Sequence, residues 1–357
     1  MFKPIFNLTA SLTNLLAKIE TVKINTQSLP ITQSVMLSLR ESARFHTIHY
    51  STKIEGNRLT LDEVESLIKL GQTFPNKKRD EIEILGYHAA LDYIKNYTSK
   101  KIKLSEKIIQ ELHAVIMSGG KKTIKPLAYR DSQNAIYDGN SGKIVYLPPE
   151  AKDVKKLMAE FVLWLNEMEL QDFSKPLLAA IAHYQFVTIH PYFDGNGRTA
   201  RLLATLILYR GNYDLNGIYS LEEYYANDLA NYYDQISIGP SHNYYMGRAQ
   251  ADITSWLTYF CEGMLYSFEK IKTHALIAYS KSISSKDWLN YLDSKQRSAL
   301  SLFKKKSIIS SKDVELFFNI CARTARALCQ KWVADNFLVI NDASKKNRSY
   351  KLNSRYK

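Results

Sequence analysis

The sequence predicts a mainly α protein that ends in a small α+β domain. Apolar residues recur at helical spacing through most of the first 270 positions, a hairpin pattern interrupts them near residues 134–146, and helix and strand patterns alternate after residue 287. The chain has 357 residues, enough for two or three domains that each bury a core. We expect an N-terminal helical region at 1–100, a central core at 101–270, a polar linker at 271–286 and a C-terminal domain at 287–357.

The N-terminal region carries one clear local signal. A helix is predicted to end at Gly56, because glycine tolerates the left-handed conformation that follows many helices. Thr60 and Glu63 then form a capping box for the next helix, predicted over 61–70.

The central core contains the predicted hairpin. Amphipathic helices are expected over 80–95 and 105–118, and short β-type runs at 134–137 and 143–146 flank the turn sequence Asp-Gly-Asn-Ser-Gly. Pro148 and Pro149 end this segment before a helix predicted at 151–168.

Composition excludes several classes of protein. The net charge is +13, yet residues 285–357 alone hold sixteen Lys and Arg against six Asp and Glu, so the basic character belongs to the C-terminal domain. No run of about eighteen apolar residues occurs, which argues against a membrane span. The three cysteines form no CxxC pair, and a secretory signal is not evident, so a reducing compartment, the cytoplasm, is expected.

The most informative stretch runs from His190 to Arg201 and reads His-Pro-Tyr-Phe-Asp-Gly-Asn-Gly-Arg-Thr-Ala-Arg. Pro191 disfavours helical dihedral angles at the preceding residue, so the imidazole should project from a loop. Gly195 and Gly197 permit positive φ angles and a close approach of the backbone to a ligand. The N–H groups that open the following helix would then form an anion site.

The side chains of this stretch suit phosphate chemistry. Arg198 and Arg201 share one helical face and can bind successive phosphates. Asp194 supplies a hard oxygen ligand of the kind that Mg²⁺ prefers. His190 titrates near neutral pH and can accept a proton from a hydroxyl group.

The same stretch resembles the Fic motif, HPFxDGNGRxxR, with Tyr192 in place of the usual Phe. The resemblance extends over roughly residues 40–268 and implies a Fic-type helical bundle with a β-hairpin flap. It also implies an enzyme, a protein adenylyltransferase that moves AMP from Mg-ATP to a Ser, Thr or Tyr hydroxyl of a target protein or of itself.

The resemblance assigns roles to individual residues. His190 is the expected catalytic base and Asp194 the expected Mg²⁺ ligand. Arg198 is expected at the β-phosphate and Arg201 at the γ-phosphate. The expected ATP-binding residues are Gly195, Asn196, Gly197, Arg198 and Arg201.

A segment before the core resembles an inhibitory pattern of the same family, [S/T]xxxE[G/N]. Ser51, Glu55 and Gly56 match it, on a helix expected around 45–56. In the class with N-terminal inhibition, the glutamate pairs with the second arginine of the motif, here Arg201. The resemblance therefore implies an enzyme that Glu55 inhibits by removing the γ-phosphate anchor.

Two further parts of the site follow from the resemblance. Tyr232 and Tyr233 are the candidates for contact with adenine, although Pro240 replaces an Asn that some relatives direct to the base. The hairpin near 134–146 would align the target protein by strand addition.

The C-terminal domain resembles a winged helix-turn-helix. Arg323, Arg326 and Lys331 on its third helix could face DNA, with a basic wing formed by Lys345, Lys346 and Arg348. Modules of this kind also serve as protein docking or homodimer surfaces, so residues 287–357 leave DNA and protein open as partners.

Other functions remain open at this point. Gly197 argues against a kinase-like relative, which has Lys at that position. Removal of AMP from a target, with Glu55 aligning a water, would use the same residues. A DNA-binding regulator with a Fic-type sensing core is a third reading, against which the intact His190 argues.

Overall fold

The computed structural model describes residues 2–29, 31, 33–99, 102–121, 125–137, 142–239, 242–290, 292–303, 306–344 and 347–356. The chain forms two compact units, Met1–Leu276 and Ile277–Lys357. The division between them falls inside the segment 271–286 that the sequence predicts as a linker, and this segment is helical.

Helices dominate the first unit. They are α1 (Ala10–Gln27), α2 (Gln33–Ile54), α3 (Leu61–Leu70), α4 (Lys78–Thr98), α5 (Glu106–Met117), α6 (Ala151–Leu170), α7 (Lys175–Ile189), α8 (Asn196–Arg210), α9 (Glu222–Asn227), α10 (Leu229–Ile236) and α11 (Thr254–Asn290). In the part of the chain that the structure describes, none of the helices has both the length and the apolar composition of a membrane span.

The local signals read from the sequence form as expected at α3. The Thr60 hydroxyl accepts a hydrogen bond from the backbone of Glu63, whose carboxylate accepts from the Thr60 N–H at 2.8 Å. Gly71 ends the helix in the left-handed conformation. This capping box sets the start of α3, shortly after the segment Ser51 to Gly56.

The core of the first unit is built around α7 and α8. Leu178, Ile181 and Phe186 of α7 are almost fully buried, and most of α7 is apolar on every side, as expected for a helix at the centre of a domain. Leu202 and Leu206 of α8 are buried against it. The loop between these two helices is therefore held at both ends.

The predicted hairpin is present as two short antiparallel strands, β1 (Ile136–Tyr137) and β2 (Ile144–Tyr146), which pair with an irregular register. The turn at 138–141 lies outside the described residues. After β2, Leu147 exchanges backbone hydrogen bonds with His242 and Tyr244, at 2.8 and 3.0 Å.

The second unit contains, after the end of α11, the elements α12 (Ser294–Phe303), β3 (Ile309–Ser310), α13 (Ser311–Phe318), α14 (Ala322–Ala334), β4 (Leu338–Asp342) and β5 (Ser349–Leu352). The strands form an antiparallel sheet in the order β3-β5-β4. Val314, Trp332 and Phe337 are fully buried in its core. The order of elements follows the sequence-based expectation, while the winged-helix assignment stays a prediction, and Lys345 and Lys346 lie outside the described residues.

Candidate active site

His190 lies at the C-terminal end of α7 in a left-handed conformation, with φ 52° and ψ 59°. Its Nδ1 is 3.3 Å from the carbonyl oxygen of Val187, an acceptor, so Nδ1 carries the proton in the neutral ring and Nε2 keeps its lone pair. Burial disfavours the charged ring and lowers the pKa of His190 to about 4. At neutral pH the imidazole is therefore a base with a free acceptor nitrogen.

Arg130 fixes the backbone around this histidine. The residue is 4% exposed. Its Nε donates to the carbonyl oxygen of His190, and its backbone N–H donates to the carbonyl oxygen of Pro191, both at 2.9 Å. Its remaining nitrogens donate to the carbonyl oxygens of Ser132 and Pro149. No local sequence pattern marks Arg130, so the sequence does not predict that this side chain fixes the motif backbone.

The motif loop is held from inside by Asn196. Its side-chain oxygen accepts from the N–H of Tyr192 at 3.0 Å, and its side-chain nitrogen donates to the Tyr192 carbonyl at 2.8 Å. The amide of Asn196 therefore shapes the loop, and only its backbone N–H is available to a phosphate. A nearby ring, that of His113, stacks on Tyr192 at 3.5 Å and bonds the Asp194 carbonyl oxygen at 2.9 Å.

The start of α8 has the features expected of an anion site. Gly195 precedes the helix with φ 78°. In the first intrahelical hydrogen bond, the Thr199 N–H donates to the Gly195 carbonyl oxygen. The N–H groups of residues 196–198 come before that bond and point out of the helix end. Arg198 is 2% exposed and lies 3.3 Å from Asp194 and 3.7 Å from Glu83.

The second arginine of the motif meets the predicted inhibitory segment. Arg201 donates from Nε to the Ser51 hydroxyl at 2.8 Å and from a terminal nitrogen to Glu55 at 2.7 Å. Burial disfavours the charged guanidinium, but the Glu55 carboxylate holds the pKa of Arg201 above its ordinary value. Gly56 ends this segment with φ 87°. The structure thus brings Ser51, Glu55 and Arg201 into direct contact.

The two candidate adenine contacts differ in exposure. Tyr232 is 2% exposed, and its hydroxyl bonds the buried His183 at 3.0 Å, so this ring belongs to the core. Tyr233 is 46% exposed, and its hydroxyl donates to the Ile54 carbonyl, one residue before Glu55. Only Tyr233 can offer a ring face to a ligand.

The hairpin is attached to the motif loop. Asn134 donates to the Tyr192 carbonyl at 3.2 Å, and the Tyr146 hydroxyl donates to the Thr188 carbonyl at 2.6 Å. Tyr137 and Ile144 are exposed. The hairpin thus carries exposed side chains and is attached to the chain on both sides of His190, at Thr188 and Tyr192.

Two cavities flank the motif helix. One of about 300 Å³ reaches the motif itself and is lined by Arg79, Ile82, Glu83, Ile116, Met117, Asp194 and Arg198. A larger one of about 790 Å³ is lined in part by residues of α2, α4 and α8 and contains none of the motif residues His190 to Arg201. The smaller cavity therefore includes Asp194 and Arg198 of the motif, whereas His190 and Arg201 are not among its lining residues.

Comparisons with known proteins find relatives of this chain. Residues 103–208 match the model of the Fic/DOC family, so the chain contains a domain of that family. It is 37% identical over 175 residues to proteins named protein adenylyltransferase Fic from Drosophila erecta and Drosophila melanogaster. That match covers 49% of this chain and 34% of each relative, so the chain spans about a third of the length of these curated relatives.

Solved structures share the fold. A Fic family protein from Desulfovibrio desulfuricans G20 aligns with a TM-score of 0.71 at 22% identity and covers 99% of each chain. Fic-1 from C. elegans aligns with a TM-score of 0.61 at 22% identity, over 75% of this chain and 73% of its own. The expected mainly α, Fic-type bundle is confirmed by these similarities.

Proposed function

We propose that this protein is an enzyme that transfers AMP from Mg-ATP to a Ser, Thr or Tyr hydroxyl of a target protein or of itself. The observation that carries the proposal is a neutral, half-buried histidine, His190, at the start of the loop that leads into α8. This helix carries Arg198 and Arg201. The relatives named protein adenylyltransferase Fic support the same activity.

The reaction needs one proton acceptor and an anchored triphosphate. The target hydroxyl oxygen attacks the α-phosphorus, a new P–O bond forms, and the bond to the β-phosphate oxygen breaks to release pyrophosphate. Nε2 of His190 accepts the hydroxyl proton, because Nδ1–H is held by Val187. Arg198 holds the β-phosphate, Arg201 the γ-phosphate, and the N–H groups of Asn196 and Gly197 stabilise developing negative charge.

Asp194 fits the role of Mg²⁺ ligand. Its side chain is 58% exposed, and both of its hydrogen bonds, from Gly195 and Arg198, go to the same oxygen. Among the described residues, no group of three or more acidic, His or Cys side chains could enclose a metal ion. Mg²⁺ suits such a site, because it is commonly bound by one or two carboxylates, water and the phosphates of its substrate. Bound Mg²⁺ would neutralise phosphate charge.

The resting enzyme is autoinhibited in this proposal. Glu55 binds the guanidinium that would anchor the γ-phosphate, and the hydroxyl and carbonyl oxygens of Ser51 accept from the same guanidinium. ATP can then bind with its α-phosphorus misaligned, and positioning supplies much of the rate of such reactions. Tyr233, close to the same segment, is the ring that we assign to adenine.

The hairpin at 134–146 is the proposed docking site for the target protein. An extended segment of the target would pair with the hairpin edge and bring its hydroxyl to His190. The attachment of Asn134 to Tyr192 keeps the hairpin in register with the motif loop.

The second unit is the proposed contact module of the protein. Arg323, Arg326, Lys331 and Arg348 are exposed, as a DNA-facing or protein-facing surface requires. Duplex DNA and a protein surface, including a second copy of this chain, are the two classes of partner. A steep loss of binding with salt, reduced in Arg323→Ala and Arg326→Ala, would identify DNA.

A reducing compartment, the cytoplasm, is the proposed location. Cys261 and Cys329 are buried, Cys321 is exposed, and all three are free thiols.

The test of the proposed activity uses ATP labelled on the α-phosphate, with wild type, Glu55→Gly and Glu55→Gly/His190→Ala. We expect label on protein with Glu55→Gly, little with wild type and none with the double variant. Intact mass should show the addition of AMP to the labelled protein.

Two results would contradict the proposal. Equal labelling by wild type and Glu55→Gly would remove the inhibitory role of Glu55. Absence of label from every form, although ATP binds, would favour AMP removal from a modified target or a regulator with a sensing core.

A further inference from the structure

We infer that Glu83 positions Arg198 for the β-phosphate, and that Asn57, just after the inhibitory Glu55, holds Glu83 in place. This inference rests on the proposed function and adds a positioning residue to it. Glu83 belongs to α4, outside both the motif and the inhibitory pattern.

Arg198 is a buried cation with weakly engaged nitrogens. Its side chain is 2% exposed, one terminal nitrogen lies 3.3 Å from Asp194, and the other lies 3.7 Å from Glu83. Its Nε is buried and has no hydrogen-bond partner within the described part of the chain. The guanidinium therefore keeps donor capacity for a ligand in the cavity that it lines.

The two carboxylates beside Arg198 differ in freedom. Asp194 is 58% exposed and is the proposed Mg²⁺ ligand, so it can turn away from the guanidinium when Mg-ATP binds. Glu83 is 9% exposed, and both of its oxygens are engaged, one by Arg79 at 3.1 Å and the other by Asn57 at 2.9 Å. Glu83 is thus the carboxylate that stays with Arg198 and fixes its orientation. A buried guanidinium needs such a fixed counter-charge.

Asn57 links this carboxylate to the inhibitory segment. Its side-chain nitrogen donates to Glu83 and to the Asp80 carbonyl oxygen, and its side-chain oxygen accepts from the Leu59 N–H. Asn57 follows Glu55 by two residues. The segment that pairs directly with the γ-phosphate arginine therefore also reaches the β-phosphate arginine, through Glu83.

The experiment measures nucleotide affinity, so it does not depend on transfer. Glu83→Gln is introduced into Glu55→Gly, in which Arg201 is released, and Mg²⁺ with ATP, ADP or AMP is titrated by calorimetry. We expect ATP and ADP to bind about tenfold more weakly, because a charge-assisted contact to the β-phosphate is misaligned. AMP lacks a β-phosphate, so its affinity should change by less than about twofold.

Two further variants complete the test. Glu81→Gln makes the same change of charge on the same helix, at a buried carboxylate bonded to the Phe74 N–H, and should leave all three affinities unchanged. Asn57→Ala retains Glu83 but removes its anchor, and should weaken ATP and ADP more than AMP. This variant decides the matter if Glu83→Gln fails to fold.

The outcomes separate this inference from the proposed function. Equal weakening of the three nucleotides, unchanged affinities or tighter binding of ATP and ADP would overturn the role of Glu83 alone. Failure of Glu55→Gly itself to bind any of the nucleotides would overturn the proposed function and the role of Glu83 together.

Discussion

At the scale of single residues, the charge states of the side chains in the candidate site depend on their burial and partners more than on residue type. His190 lies at a helix end, where burial disfavours its charged form, so it is neutral well below the pH at which a free histidine protonates. Its Nδ1 donates to a backbone carbonyl oxygen. Arg201 is buried and remains charged because Glu55 and Ser51 bind it. Each residue has a defined charge state before substrate arrives.

The first prediction concerns the pH dependence of transfer. The pKa of His190 is lowered to about 4, so the base form is present above that value and is lost as the pH falls through it. The positive Arg130 lowers this pKa, while Glu55 and Asp194 raise it, so removal of Glu55 lowers it further. Transfer by Glu55→Gly should therefore be nearly constant from about pH 8 to pH 5, with no decline near pH 6.5.

The measurement is the initial rate of labelling across this range, with circular dichroism at each pH to exclude unfolding. A rate that halves near pH 6.5 while the fold is retained would contradict a base with a lowered pKa.

The second prediction concerns the contribution of the ion pair between Glu55 and Arg201 to stability. Glu55→Gly leaves the buried Arg201 without its carboxylate, and loss of one partner from a buried ion pair is destabilising. Glu55 is itself 28% exposed, so we expect a moderate loss, about 1–3 kcal/mol in the free energy of unfolding.

Thermal unfolding with and without Mg-ATP tests this. Because the γ-phosphate would replace the missing carboxylate, Mg-ATP should raise the Tm of Glu55→Gly more than that of wild type. Glu55→Gln serves as the control for backbone freedom, since it removes the charge without adding a glycine. Equal Tm values for all three proteins would show that the pair adds no stability.

At the scale of elements, the site is the loop between α7 and α8, and its neighbours determine its shape. Asn196 closes the loop on itself, His113 of α5 bonds the Asp194 carbonyl oxygen, and Arg130 bonds the His190 carbonyl oxygen. Gly195 lies at the tightest point, where any side chain would meet α5.

The third prediction is that Gly195→Ala distorts this loop. The added Cβ would lie 2.9 Å from Met117 Sδ and 3.1 Å from His113 Nε2, and φ is +78°. A left-handed alanine costs about 1 kcal/mol, and the displaced His113 adds to that, so we expect a loss of about 2 kcal/mol or more and weaker nucleotide binding.

Gly71→Ala is the matched control. Its φ is +68° and its Cβ would meet nothing within 4 Å, so it should lose only the backbone contribution of about 1 kcal/mol. Denaturant unfolding followed by circular dichroism measures both variants. Equal losses would mean that the contact with α5 does not matter.

The elements that could be predicted from the sequence are those with short-range signals. The capping box at Thr60, the helix after it and the turn at Gly195 are set by neighbouring residues, and the structure confirms the capping box and the positive φ of Gly195. Gly197 lies inside α8 and does not adopt a positive φ. Glu83 and Arg130 could not be predicted as parts of the site, because no local pattern marks them. The motif residues that they contact, Arg198 and His190, lie more than fifty residues away in the sequence. Likewise, only burial separates Tyr232 from Tyr233.

At the scale of the whole molecule, the chain consists of two units with separate cores. Among the described residues, the buried apolar side chains of Met1–Leu276 form one core, and a separate core in the second unit includes Leu292 and Trp332. The sequence anticipates this division through its charge, since the basic residues concentrate after residue 285. It does not anticipate that the intervening segment is helical, because Lys and Ser there are compatible with either state.

The fourth prediction is that the two units lose structure separately. Trp332 is fully buried, and its indole nitrogen has no hydrogen-bond partner within the described residues, so Trp332→Ala removes packing alone. We expect a loss of about 3–5 kcal/mol confined to the second unit. Calorimetry should show one transition shifted downward and the other unchanged, with nucleotide affinity retained. A shift of both transitions would show that the units unfold together.

The left-handed backbone of His190 has a consequence for the history of such a chain. Glycine or asparagine would adopt φ 52° with less strain, so the fold alone would favour either of them at this helix end. If the imidazole is the catalytic base, selection for stability favours glycine or asparagine at this codon, whereas selection for activity favours histidine. Copies of the gene released from the second pressure should drift first at this position.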